Sequence, residues 1–304
     1  MTSPSDIVLT SFIGDALALG PHWIYHQKEL RQKFGHINDY LPPATAYHPG
    51  KTAGDFTHYG DQALLLLRHI AEQHGHFDVH QFSGTWRGYW ENPDTFSYRD
   101  GATKTTLSRL KSGHLPEAAA SPSEDLGGAV RIAPLFLVKW ENDACLYSAA
   151  RALTSLTHSD HAVVEAAEFF ARVARLVQHG AKIPAALERT AALPHWKAIP
   201  MEWIAAARLS NASSATDAEA LLDHGLTCHI PDAFTGVCHL LLRHPETPAT
   251  GLIENINAGG DSAARGMMLG LVYGAAFSIS TQPAKWLAGL KAREEITALI
   301  AKLT

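Results

Sequence analysis

Four short segments bring Gly, His and Asp together where helices begin or end. The first is Gly14-Asp15-Ala16-Leu17, followed by Pro21-His22-Trp23. The second runs through Thr57-His58-Tyr59-Gly60-Asp61-Gln62, and the third is Leu156-Thr157-His158-Ser159-Asp160. The fourth, Asn257-Ala258-Gly259-Gly260-Asp261-Ser262, is followed by Arg265. A carboxylate beside an imidazole can move a proton near neutral pH. A helix N-terminus offers unpaired N–H groups and a positive dipole end, which suit anionic ligands such as phosphates. The same Asp residues suit plain N-caps, and the residues alone leave both roles open. A lone His is usually a core or surface residue, which is the reading for His74, His179 and His244. His22, His58 and His158 differ in standing beside an Asp- or Gly-bearing motif. Arg265 sits in an apolar stretch, where a buried guanidinium needs a partner. Asp61, Asp261 or a phosphate would serve.

These side chains must be positioned by helices. The pattern predicts one capped by Asp6 through Ile7, Val8, Phe12 and Ala16, ending near Gly20-Pro21. Another spans 61–74, with its apolar run at Ala63 to Leu67 and Gly75 as its stop. Asp78 is expected to cap a helix carrying Phe82, Trp86 and Trp90, all three read as core. Asp160 precedes Val163, Ala167, Phe170, Ala174 and Val177, and Gly180 closes that segment. Asp261 opens the most apolar stretch, and Pro283 precedes a last helix through Trp286, Leu287, Leu290 and Ile300. Alternating β-branched runs are almost absent, so the expectation is an all-α protein with long functional loops. Gly266, Gly270 and Gly274 strip one face of the apolar helix and let a neighbour approach closely. That stretch holds Arg265 and is shorter than the ~20 residues a bilayer requires, so it reads as a buried central helix.

The 304 residues are 46% hydrophobic and 18% charged, which is enough apolar material for a large core. Length alone suggests two domains; no linker or repeat divides the chain, and one domain over 1–304 is expected. Net charge is −5 with no block of like charges, which argues against a nucleic-acid or anionic-membrane surface. The 18 His nearly match the 25 Lys plus Arg, so the chain turns net positive just below neutral pH. Cys145, Cys228 and Cys238 form neither a disulfide framework nor a zinc knuckle, and fit a reducing cytoplasm. The polar N-terminus is not read as a signal peptide.

Taken in order, the motifs resemble the ADP-ribosylglycohydrolase family, which includes the dinitrogenase-reductase-activating glycohydrolases and the jellyfish J1 crystallins. Gly14 to Leu17 is similar to the family's GDALG opening, and His58 to Gln62 occupies the place of its TDDTQ. Gly127 to Pro134 resembles its NGAAMRIAP, Thr157-His158 its TH, and Cys228 to Phe234 the segment before the last motif. Asn257 to Asp261 resembles its NLGGDTDT. The resemblance implies one all-α domain, two magnesium ions, and cleavage of the bond between ADP-ribose and a protein side chain. Its Thr-Asp-Asp ligands fall on His58, Tyr59 and Gly60. The second Asp of the last motif falls on Ala263 and the adjoining hydroxyl residue on Ala264, and an acidic position of some members falls on His22. Magnesium wants hard oxygen ligands near octahedral geometry. The usual dinuclear centre is therefore expected to be absent, and no cofactor is expected. A single transition ion on His22, His58, Asp61 and Asp261 is the alternative, since imidazole suits such ions.

The expected catalytic residues are then Asp61, Asp261, His58 and His22. Asp61 is preferred to Asp15 as base, because Asp15 lies inside a helix and would brace the site. The expected ligand-binding residues are Asp15, Tyr98, Asp100, Gly127, Gly128, His158, Gly259, Gly260 and Arg265. The glycines would expose backbone to a pyrophosphate, and Tyr98 would stack. The expected ligand is an ADP-ribose-like molecule or an ADP-ribosylated protein. A non-catalytic nucleotide binder or crystallin-like structural protein is the competing reading.

Overall fold

Two helices, Pro4–Ala18 and Ser262–Ala276, are apolar nearly all round, and almost every residue in them is buried. Such helices belong at the centre of a fold. In the computed structural model, which describes residues 2–303, they lie against each other and run antiparallel. Gly14 meets Gly266, Thr10 meets Gly270, and Asp6 meets Gly274. A Cβ added at Gly270 would stand 2.3 Å from the Thr10 carbonyl oxygen. The glycine spacing is thus a packing device: backbone meets backbone because one face carries no side chains.

The helices His161–Gln178, Ile230–Arg243 and Pro248–Ala258 cover other sides of Ser262–Ala276. His58–Glu72 and the 3-10 segment Val130–Leu137 pack on Pro4–Ala18. Shorter amphipathic helices form the shell, and Trp86 and Trp90 are buried beneath it. The chain is all-α, with no strand among the described residues. Two isolated bridges, Ser121 with His158 and Asp125 with His229, pin the loop before Leu126 between two others. No helix among the described residues is long and apolar enough to cross a membrane.

Asp78, Asp160 and Asp261 cap their helices as expected. Two starts differ. Pro4 fits the first helical position, so Ser3 becomes the cap and Asp6 closes a capping box with it. Thr57 caps His58–Glu72, which places Asp61 inside the first turn. The last predicted helix is two, Ala284–Gly289 and Arg293–Ala301. It breaks where its backbone docks on a loop: Lys291 N donates to the Gly54 carbonyl at 3.0 Å.

Candidate functional site

The antiparallel register places the C-terminal turn of Pro4–Ala18 beside the start of Ser262–Ala276. Asp15, fully buried there, accepts from Thr57 N at 2.7 Å and from Thr57 Oγ1 at 2.5 Å. It thereby fixes the residue that caps His58–Glu72. Gly60 is obligatory in this arrangement, since a Cβ would lie 2.5 Å from Asp15 Oδ2. Burial pushes the Asp15 carboxyl up to about 7. Asp100 caps Gly101–Lys111, Asp125 caps the turn Leu126–Gly128, and Asp261 caps Ser262–Ala276. Tyr59 lies within electrostatic reach of all three of these carboxylates, so several helix starts converge on one region.

Three buried imidazoles form its floor. The ring centroids of His22, His48 and His58 are 5.7 to 6.3 Å apart. His48 Nε2 is 3.4 Å from His58 Nδ1, and His58 Nε2 is 3.5 Å from Asp100 Oδ2. His22 Nδ1 is 3.5 Å from Asp261 Oδ1, while Tyr59 Oη donates to Asp261 Oδ2 at 3.0 Å. Both nitrogens of His22, Nδ1 of His48 and Nε2 of His58 are buried without a hydrogen-bond partner. Burial lowers all three histidines: His22 well below its usual range, His48 to about 3, and His58 despite the pull of Asp100. Burial also raises Asp261 to about 6. The floor is therefore neutral imidazole beside a carboxyl that titrates near neutrality.

Above it, Trp23, Tyr47 and Tyr98 meet edge to face. Their centroids are 4.8, 5.3 and 5.7 Å apart and their planes 71° to 88° from one another. Trp23 has φ 65°, a left-handed backbone that is strained for a bulky residue. Its N–H holds the Gly260 carbonyl at 2.9 Å.

Tyr98, with its ring centroid 5.2 Å from that of His58, and Asp100, 3.5 Å from His58 Nε2, lie next to the histidine cluster. His48, Tyr47, Asp125 and the lid role of Trp23 were not among the expected site residues. One signal could have found the histidines: His22-Trp23, Tyr47-His48 and His58-Tyr59 each pair an imidazole with an adjacent aromatic.

Several expectations are corrected by the contacts. Asp61 is turned to Lys51 Nζ, at 2.7 and 2.9 Å, and to Ser97 Oγ, at 2.6 Å. The set His22, His58, Asp61 and Asp261 therefore does not close on one point. Arg265 pairs with neither Asp61 nor Asp261. Its Nε donates to Asn255 Oδ1 at 2.9 Å and its Nη2 to the Gly259 carbonyl at 2.5 Å, and Nη1 is unpaired.

Gly127 and Gly128 lie under side chains rather than open to a pyrophosphate. A Cβ would lie 2.4 Å from the Tyr59 ring at Gly127 and 2.5 Å from the His158 ring at Gly128. Gly259 and Gly260 take φ of 77° and 66°, which explains glycine there. The N–H groups of Gly260 and Asp261 are engaged by the carbonyls of Ile24 and Leu226, at 2.8 and 2.9 Å. His158 is joined to the site through Asp125. Its Nε2 contacts Asp125 Oδ1 at 3.0 Å, and its Nδ1 contacts Thr157 Oγ1, which Arg131 also holds.

The donors present do not fit a dinuclear magnesium centre. Asp261 has a tyrosine hydroxyl on one oxygen and lies beside an imidazole. The neighbouring positions carry Gly60, Ala263 and Ala264, which offer no side-chain oxygen. Among the described residues, no group of three or more His, Cys, Asp or Glu is placed to hold a metal ion.

Comparison with known proteins is consistent along the chain. Residues 6–304 match the family model for ADP-ribosylglycohydrolase. Crystallin J1A of Tripedalia cystophora is 22% identical, covering 98% of this chain and 94% of its own. An uncharacterized protein of Archaeoglobus fulgidus is 25% identical, over 97% and 94%. A solved structure described as an ADP-ribosylglycohydrolase-related protein complex superposes with a TM-score of 0.68 at 22% identity, covering 99% of this chain and 98% of that one.

Proposed function

Because the chain belongs to the ADP-ribosylglycohydrolase family, we propose that it hydrolyses a glycosidic bond of an ADP-ribosyl or related nucleoside substrate without a dinuclear magnesium centre. The observation that carries this reading is Asp261: a buried carboxyl raised to about 6, held by Tyr59 and facing the unpaired His22. An acid–base group works best when it titrates near the operating pH.

Cleavage of an N-glycoside passes through an oxocarbenium-like state, by analogy with O-glycosides. The C1′–N electron pair leaves with the nitrogen, which takes the proton of the Asp261 carboxyl, and the carboxylate so formed stabilises the positive charge that develops on the sugar. Water then adds to C1′. Its proton passes to the neutral imidazole of His58, which lies near Asp100, and from there to solvent, from which Asp261 regains the proton it gave to the leaving nitrogen. Asp61, engaged by Lys51 and Ser97, fixes the rim in place of the base role first expected of it.

The competing reading, a non-catalytic binder, is favoured by one observation: three aromatic rings close over the floor. The test is release of product from ADP-ribosyl-arginine, ADP-ribosyl-serine peptides and nucleosides, with and without EDTA. Turnover that persists in EDTA and is lost in Asp261→Asn supports hydrolysis. Binding without turnover supports the binder.

A further inference from the structure

Both nitrogens of His22, Nδ1 of His48 and Nε2 of His58 are buried without a hydrogen bond, two of them 3.5 Å from a carboxylate oxygen, and they point to a guest that supplies partners, because buried polar atoms are rarely left unmatched. A neutral imidazole offers one donor and one acceptor, and so does each hydroxyl of a sugar diol. A phosphate oxygen only accepts, and it brings negative charge. The carboxylates of Asp61, Asp100 and Asp125 lie within electrostatic reach of His58, and Asp261 lies beside His22.

The cations that would offset a diphosphate are engaged elsewhere. Lys51 is bound to Asp61, and Arg131 is held by the neutral groups of Gln62, Leu153 and Thr157 with its Nε unpaired. Arg265 holds Asn255 and the Gly259 carbonyl; its unpaired Nη1 carries charge one helical turn from Asp261. The backbone N–H groups of the Gly260-Asp261 turn are bonded within the protein. Arg99, next to Tyr98, gives Nη2 to the Trp90 carbonyl and leaves Nε unpaired, and Lys104, 5.4 Å from the Tyr98 ring centroid, is exposed. Aromatic faces, by contrast, are plentiful and suit a base or the C–H face of a sugar.

We propose that this site takes an uncharged nucleoside or glycoside, with its diol on His22, His48 and His58 and its planar face between Trp23, Tyr47 and Tyr98. The proposal rests on the hydrolase reading of the same site and narrows its substrate class. Since the three rings touch one another, the guest enters only if they part, and Tyr47, half exposed, is the most accessible of them.

Calorimetric titration of the full chain with adenosine, ADP-ribose and inorganic pyrophosphate tests it. Adenosine is expected to bind at least tenfold more tightly than ADP-ribose, with no heat from pyrophosphate. Tyr47→Ala should weaken adenosine binding about tenfold with an unchanged unfolding midpoint. His58→Gln should weaken it at least as much. ADP-ribose binding as tightly as adenosine or more so, particularly if Lys104→Ala abolishes the advantage, overturns the proposal, as does no binding of adenosine at all. Adenosine bound but never cleaved defeats the hydrolase reading and leaves the ligand class standing. Cleavage of ADP-ribosyl substrates with tighter ADP-ribose binding does the reverse.

Discussion

Burial sets opposite proton preferences side by side in this site. Asp15 is raised to about 7 and Asp261 to about 6, so the folded chain keeps protons that the unfolded chain releases above its carboxyl range. Their contribution to stability falls as pH rises from the unfolded carboxyl range, about pH 4, to about 7. His22, His48 and His58 are lowered from 6.5, so the unfolded chain binds more protons there. Their contribution is lost as pH falls below 6.5. The two sets oppose each other over mildly acid pH. Asp15→Asn is therefore expected to make the unfolding free energy climb more steeply with pH than in the parent chain, and His48→Gln to flatten it. Urea denaturation across pH 4.5 to 7 (about the window these shifts define) reads both, and curves parallel to the parent would contradict the assignment. In the sequence, motif neighbours mark His22, His58 and Asp261. His48 is not marked, because a Pro- and Gly-rich connection reads as loop until the fold brings it against His58. The hydrogen-bond partners of Arg265 were hidden for a different reason: its fork reaches an amide ten residues back and a carbonyl six residues back, while Asp261 acts on it through charge alone.

Helices do the positioning, and their termini carry the chemistry. The contact of Pro4–Ala18 with Ser262–Ala276 sets Asp15 and Asp261 at the same end, and its glycines admit no Cβ without movement. Gly270→Val is expected to destabilise the fold by about 1–3 kcal/mol or more, as overpacking does. Chemical denaturation checks this, and a change below about 0.5 kcal/mol, ordinary for a surface substitution, would show that the two backbones are not in close contact. A second element-scale prediction concerns the loop at Asp125, whose carboxylate accepts from Gly127 N, Ser123 and His158. These partners hold its carboxyl below the usual range. Asp125→Ala should loosen the segment and raise hydrogen exchange at Leu126 to Gly128, with the central helix pair still protected. The four-residue glycine spacing was readable from the sequence because helix geometry fixes which residues share a face. The start of the first helix was not, because Ser3 and Asp6 are both good capping residues, and Pro4 decides between them. Gly127 and Gly128, expected to face a pyrophosphate, carry a similar ambiguity. A glycine signals close approach without saying whether a ligand or a side chain approaches, and here Tyr59 and His158 do.

At the scale of the whole molecule, the all-α architecture and the family were written along nearly the full chain, because the ordered motifs sit at helix ends that the fold must bring together. Imidazoles, a tyrosine and alanines stand where the resemblance implies acidic and hydroxyl ligands, and the proposed function rests on that replacement. The abundance of histidine in the composition thus resolves into a neutral three-imidazole floor beside one titratable carboxyl. If that floor and Asp261 perform the reaction, Asp261→Asn should slow glycosidic cleavage by about 10²–10⁴-fold with its unfolding midpoint preserved, the usual scale for loss of an acid–base group. The most direct measurement is the initial rate of glycosidic cleavage by the EDTA-treated chain, across ADP-ribosyl and nucleoside substrates, before and after adding magnesium. The account predicts a rate that EDTA leaves unchanged and magnesium does not raise; a rate abolished by EDTA and restored by magnesium would contradict it.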